Sequence, residues 1–110
     1  MKLRLRFWFE KDGKPVLGKG GAEILEAIDE CGSISKAAKS LGMSYRFVWN
    51  YVEKMENRIG RVVERERGGR GGGGAKLTDL GKSILEEYLK VQKKLEEISE
   101  SFESESEGKI

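Results

Sequence analysis

A pair of helical segments separated by a glycine lies in the middle of the chain and constrains the fold more than any other feature. Residues 33–42 are rich in Ala and Ser and end at Gly42, a residue that commonly stops a helix. Ser44 can cap the longer segment 45–59 that follows. Four apolar residues of that segment recur every three or four positions and predict one buried stripe: Val48, Val52, Met55 and Ile59. A short helix, a tight turn and a longer helix predict a helix-turn-helix unit.

The polar residues near the start of the longer segment have the chemistry needed to read DNA. Arg46 can bind guanine or a phosphate through two N–H donors, and Asn50 can pair with adenine. The hydroxyl of Ser44 can reach a phosphate at the helix N-terminus. Trp49 either stacks at the DNA backbone or packs against the N-terminal strand. A polar helix face is often only solvated, but the glycine turn and the preceding Ala-rich helix favour binding of double-stranded DNA.

A glycine-rich run, residues 68–74, separates two short segments that read as strands, Val62–Arg65 and Ala75–Leu77. Such a hairpin is typical of a wing whose tip settles on the phosphate backbone or enters the minor groove, where arginine is favoured. The basic residues around this tip are Arg65, Arg67, Arg70 and Lys76. A solvated hairpin without a ligand is the alternative, and the acidic Glu64 and Glu66 favour it.

Several classes of function are disfavoured by the composition. The chain has no histidine and one cysteine, so the usual general base and the commonest metal ligand are missing. No nucleophile and base stand together, and we expect neither an enzyme nor a metal site. Gly69, Gly71 and Gly74 match a dinucleotide-binding pattern, but no βαβ unit surrounds them, so no cofactor is expected.

The two ends of the chain differ in pattern and charge. Residues 3–10 alternate apolar and charged side chains, which predicts a half-buried strand, and 11–15 predict a turn to a short strand at Val16–Leu17. Residues 1–76 contain 16 Lys and Arg against 10 Asp and Glu, whereas 77–110 contain 5 against 9. The basic part suits a DNA-binding body. No stretch approaches the ~18 apolar residues of a membrane span or resembles a secretion signal, so we expect a cytoplasmic protein.

The last segment, residues 79–102, predicts a helix that extends about 35 Å, longer than a domain of this size can cover. We therefore expect it to pair two copies of the chain as a homodimer, although folding back or a missing partner are alternatives. The apolar residues of the expected dimer interface are Leu80, Ile84, Tyr88, Val91, Leu95, Ile98 and Phe102. Residues 103–110 form an acidic tail that we expect to fray.

Two stretches resemble one family when taken together. The run Gly32-Ser33-Ile34-Ser35-Lys36-Ala37-Ala38, followed by Gly42-Met43-Ser44-Tyr45-Arg46 and Trp49, is the first, and the glycine-rich wing ending in Leu77-Thr78-x-x-Gly81 is the second. They resemble the N-terminal DNA-binding domain of ModE molybdate-responsive regulators, which is similar to the winged helix of LysR-type regulators. The resemblance implies a homodimeric transcription factor whose third helix enters the major groove.

The expected fold is mainly α with small β-hairpins: a winged helix-turn-helix over residues 1–78 and a long C-terminal dimerisation helix over 79–102. The expected DNA-binding residues are Ser33, Ser35, Lys36, Ser44, Tyr45, Arg46, Trp49, Asn50, Lys54, Arg65, Arg67, Arg70 and Lys76. A chromatin-like DNA binder with little sequence preference and a protein-interaction adaptor are the competing hypotheses. The resemblance does not extend to the C-terminal oxyanion-binding domains of ModE, so we do not expect direct binding of molybdate or tungstate.

Overall fold

The computed structural model of the chain describes residues 1–66 and 74–109. Its elements in chain order are β1 (Phe9–Lys11), β2 (Lys14–Leu17), α1 (Lys19–Cys31), α2 (Ile34–Leu41), α3 (Tyr45–Ile59), β3 (Val63–Arg65), β4 (Ala75–Leu77) and α4 (Asp79–Ser106). The strands form two separate antiparallel pairs, β1 with β2 and β3 with β4. The predicted mainly helical fold with small hairpins, a winged helix-turn-helix with a long last helix, is confirmed.

Local side-chain chemistry sets the helix boundaries. Ser33, Ser44 and Thr78 each precede a helix and accept a hydrogen bond from a backbone N–H in its first turn, at 3.1–3.2 Å. Each bond satisfies one N–H that has no partner within the helix. The turn between α2 and α3 depends on Gly42, which ends α2 with φ 67°, a left-handed conformation that glycine adopts without strain.

The core lies where α1, α2 and α3 meet the two hairpins. Val48, Val52 and Met55 of α3 are buried, and Ile59 is partly buried, so the predicted stripe is confirmed. It packs with other buried apolar residues, the largest of which are Leu17, Ile24, Leu25, Ile28, Val62, Val63 and Tyr88. The small Ala37 and Ala38 of α2 are buried among them, which allows a close helix crossing.

The N-terminal segment is where the prediction was wrong. Residues 1–8 have no regular secondary structure, and only Phe9–Lys11 pair with β2. The reason is that β2 has four residues and its last, Leu17, already lies opposite Phe9, so earlier residues have no strand beside them. The predicted turn is confirmed, since Asp12 and Gly13 both have positive φ, 51° and 77°.

Helix α4 contains 28 residues and ends at Ser106, four residues beyond the predicted end at Phe102. It extends about 42 Å, and its packed part includes Leu85 and Tyr88, which are buried. The apolar residues farther along α4 are half-buried or exposed. No helix in the described part of the chain combines the length and the apolar character that crossing a membrane requires.

The side chain of Tyr88 is more buried within one chain than we expected for a residue of the dimer interface. Its side chain is only 2% exposed within a single chain, so its surface is already covered. The Phe7 ring stacks on it with centroids 4.4 Å apart, and the edge of the Phe9 ring meets it at 5.7 Å. Phe7 of the unpaired N-terminal segment and Phe9 of β1 therefore cover this part of α4.

Candidate nucleic-acid interface

The outward side of α3 presents Arg46, Asn50 and Lys54, which we call the reading face. All three side chains are exposed, and their spacing of four residues places them on one side of the helix. The buried residues of α3 occupy the opposite side. Among the described residues, Arg46 and Lys54 take part in no ion pair, so their positive charges are available to an anionic partner.

Trp49 lies at the edge of the reading face and is half-buried. Its indole Nε1 donates a hydrogen bond of 3.0 Å to Glu53, and its ring stacks on that of Tyr45 with centroids 6.1 Å apart. The other neighbour of Trp49 is Arg65 of the wing strand rather than the N-terminal segment. Stacking of Trp49 at the DNA backbone stays a prediction.

Trp49, Glu56 and Arg65 form a cluster that we call the wing anchor. The guanidinium carbon Cζ of Arg65 lies 4.1 Å from the centre of the Trp49 ring, and Nη2 lies 3.1 Å from Oε1 of Glu56. The second carboxylate oxygen of Glu56 accepts the backbone N–H groups of Val62 at 2.9 Å and Val63 at 3.2 Å. One acidic side chain therefore fixes strand β3 to helix α3.

The sequence pattern did not reveal Glu56, and Arg65 was expected to bind DNA. The only available signal was that Glu56 follows Met55 directly and therefore borders the buried stripe, where an acidic side chain requires a partner. Arg65 is largely buried with that partner. Its guanidinium is thus engaged inside the protein, and a direct contact of Arg65 with DNA stays a prediction.

The other end of the wing is attached by backbone hydrogen bonds. The N–H of Ala75 donates to the carbonyl of Gly32 at 2.8 Å, and the N–H of Thr78 donates to that of Val62 at 2.9 Å. The Thr78 hydroxyl donates to the carbonyl of Arg61 at 2.7 Å. The strands of the wing are therefore held by α3, by the corner between α1 and α2, and by the start of α4.

The remaining predicted DNA contacts in the described part of the chain lie on α2 and β4. Ser35 and Lys36 are exposed in the first turn of α2, while the Ser33 hydroxyl is occupied in capping that helix. Lys76 is exposed on β4 and lies 3.6 Å from Glu64 across the hairpin. Arg67 and Arg70 lie outside the described residues.

Phe47 is a second residue that the sequence reasoning missed. It is 52% exposed although it is large and apolar, and it borders the same groove as Asn50 and Lys54. The signal was its position in the first turn of α3 outside the buried stripe.

Two of the known proteins that this chain resembles are named ModE. The molybdenum transport protein ModE of Azotobacter vinelandii is 34% identical over 110 residues, which cover 96% of this chain and 41% of that protein. The DNA-binding transcriptional dual regulator ModE of Escherichia coli is 41% identical over 66 residues, which cover 59% of this chain and 25% of that protein. The chain thus spans less than half the length of these relatives, and the resemblance to ModE is confirmed for the part that it spans.

A solved structure is similar to this chain in fold. The structure of a mutant of ZitR from Lactococcus lactis matches 94% of this chain and 71% of its own with a TM-score of 0.60 at 20% identity, a likeness of fold. The family model described as bacterial regulatory helix-turn-helix protein, lysR family, matches residues 21–82, from α1 to the start of α4. The chain therefore belongs to the lysR family of bacterial regulatory helix-turn-helix proteins.

Proposed function

We propose that this chain regulates transcription by binding duplex DNA, with α3 in the major groove and the wing beside it. The observation that carries the proposal is the reading face, in which two cations without ion-pair partners among the described residues flank an exposed Asn50. A lysR-family domain and a relative named as a DNA-binding transcriptional regulator support the same function.

Each part of the surface has a distinct role in this proposal. Arg46 and Asn50 read base edges, because their side chains can each form two hydrogen bonds to one base. Lys54, with Lys36 and Lys76, binds phosphates and supplies affinity without sequence preference. Arg65 and Trp49 act indirectly, since the wing anchor sets the angle at which the wing meets the duplex.

The test is binding of the chain to duplexes recovered by in-vitro selection, measured by fluorescence anisotropy at fixed salt. Arg46→Ala and Asn50→Ala should each weaken binding by about 1–3 kcal/mol, roughly 5- to 150-fold. Lys93→Ala, at an exposed position of α4, is the matched control and should bind like the parent. Equal binding by all four proteins would overturn the assignment of the reading face.

We also propose that α4 and the N-terminal segment pair two copies of the chain. Ile98 is 51% exposed, and it lines one shallow groove together with Leu3 and Phe102. Apolar surface therefore continues along α4 beyond its buried residues Leu85 and Tyr88. Burying such a surface in a symmetric dimer removes it from water. Two copies would present two reading faces to two half-sites.

Sedimentation at micromolar concentration tests this pairing. Ile98→Glu should shift the chain toward a 12.4 kDa monomer, because it places a charge in the apolar surface. Lys93→Glu adds the same side chain at an exposed position five residues away and should leave the dimer intact. A parent chain that sediments only as a monomer would contradict the two-half-site proposal.

A further inference from the structure

We propose that Phe47 contacts the 5-methyl group of a thymine in the major groove, beside the adenine that Asn50 reads. The inference rests on the proposed DNA binding and adds to it a specificity-determining residue and its ligand. It predicts that each half-site contains at least one A·T pair recognised through its methyl group.

The position of Phe47 on α3 supports this contact. Its backbone N–H is bound by the Ser44 hydroxyl at 3.1 Å, so the residue is fixed in the first turn of the helix. In a helix-turn-helix, that turn is the part of the second helix that approaches base edges. Asn50 follows three residues later, which makes the two side chains neighbours on the helix surface.

The ring of Phe47 is also supported from behind. The Phe47 ring packs against the Tyr51 ring, with the centroids 6.4 Å apart and the ring planes tilted by 49°. Tyr51 itself packs so closely on Gly21 that a Cβ at that glycine would overlap the Tyr51 ring. Half of the Phe47 side chain stays exposed while its inner side is held, as a preorganised contact requires.

The surrounding charges identify the partner. Phe47 lines one groove with Lys54 and with Glu53, whose carboxylate accepts the Nε1–H of Trp49, and Arg46 is the residue directly before Phe47. An exposed apolar ring near two cations that have no ion-pair partner among the described residues suits a surface that is anionic outside and carries methyl groups within. Thymine is the base that offers a methyl group in the major groove, and a Phe side chain is suited to that contact.

The test removes the methyl group without changing any hydrogen bond. Each thymine of a selected duplex is replaced in turn by deoxyuridine, and the dissociation constant is measured for the parent, Phe47→Ala and Phe47→Leu. For the parent, replacing the contacted thymine of a single half-site should weaken binding by about fourfold, the value of one buried methyl group. Phe47→Ala should be insensitive to that replacement, and Phe47→Leu, which keeps an apolar side chain, should stay sensitive.

Three other results would overturn the inference. A parent indifferent to every replacement, or a Phe47→Ala variant that keeps the full fourfold loss, would refute the contact while leaving DNA binding intact. Failure of the parent to enrich any duplex sequence would refute the inference together with the proposed function. Circular dichroism of each variant verifies that the helices are retained, since Phe47 is half outside the core.

Discussion

The guanidinium of Arg65 is held between the face of the Trp49 ring, 4.1 Å from its centre, and the carboxylate of Glu56, 3.1 Å away. Trp49 belongs to the helix that carries the reading face, and Arg65 belongs to the wing. The two parts of the proposed DNA surface are therefore joined by a contact between their own side chains. Their relative angle is therefore set before DNA binds, and less conformational entropy is lost on binding.

Arg65→Ala should loosen the wing and weaken specific DNA binding, although Arg65 faces the protein interior. We expect a loss of about 1–2 kcal/mol in the free energy of unfolding, because a shielded cation–π contact and an ion pair disappear together. Fluorescence of Trp49, recorded in a Trp8→Phe background, should change at the same time. If Arg65→Ala kept the parent's stability and Trp49 emission and lost only DNA affinity, Arg65 would be a direct DNA contact instead.

Glu56→Gln tests the other half of the wing anchor. The amide keeps one oxygen, which can still accept the N–H groups of Val62 and Val63 as Oε2 does in the parent. It loses the charge, however, and places an NH2 donor where Oε1 faced Arg65, so Arg65 loses both its ion pair and its acceptor. We expect the free energy of unfolding to fall by about 1–3 kcal/mol. Glu64→Gln is the matched control: its ion pair with Lys76 is exposed and should contribute little. Equal effects in urea unfolding would refute the special role of Glu56.

The helical part of the fold was predictable because its signals are local. The serine caps, Gly42 and the repeat of Val48, Val52 and Met55 are all read within a few residues of one another. A cap needs only a hydroxyl near its own helix, so no knowledge of distant residues is required. The same applies to Arg46 and Asn50, whose exposure follows from the buried stripe opposite them.

The parts that were missed depend on distant contacts. The strand predicted over residues 3–10 has the right alternation, but the pairing partner is too short, and Phe7 meets Tyr88 instead. The partners Glu56 and Arg65 are nine residues apart and on different elements, so neither residue type reveals the other. For Tyr88, the helical repeat is the same whether its side chain faces a partner subunit or its own core.

Gly81→Ala should destabilise the domain strongly, because the start of α4 packs directly on the backbone of Val62, the residue before β3. A Cβ on Gly81 would overlap the carbonyl oxygen of Val62, which already accepts the Thr78 N–H. Backbone must then move, and we expect a loss of about 1–3 kcal/mol in thermal or urea unfolding. Gly20→Ala in α1 is the control, since nothing lies within 4 Å of a Cβ there and alanine favours a helix. A Gly81→Ala protein as stable as Gly20→Ala would contradict this packing.

Tyr88→Phe should make the domain more resistant to alkali. Burial raises the pKa of Tyr88 above its ordinary value of 10.0, and the nearby Glu23 and Tyr51 raise it further. Because the folded-state pKa exceeds the unfolded one, this contribution to stability is complete below about pH 10 and is lost as the pH rises through the folded-state value. Phenylalanine cannot ionise, so the free energy of unfolding of Tyr88→Phe should fall less steeply with pH above 10. If Tyr88→Phe lost stability with pH as steeply as the parent, Tyr88 would not lie in the protomer's core.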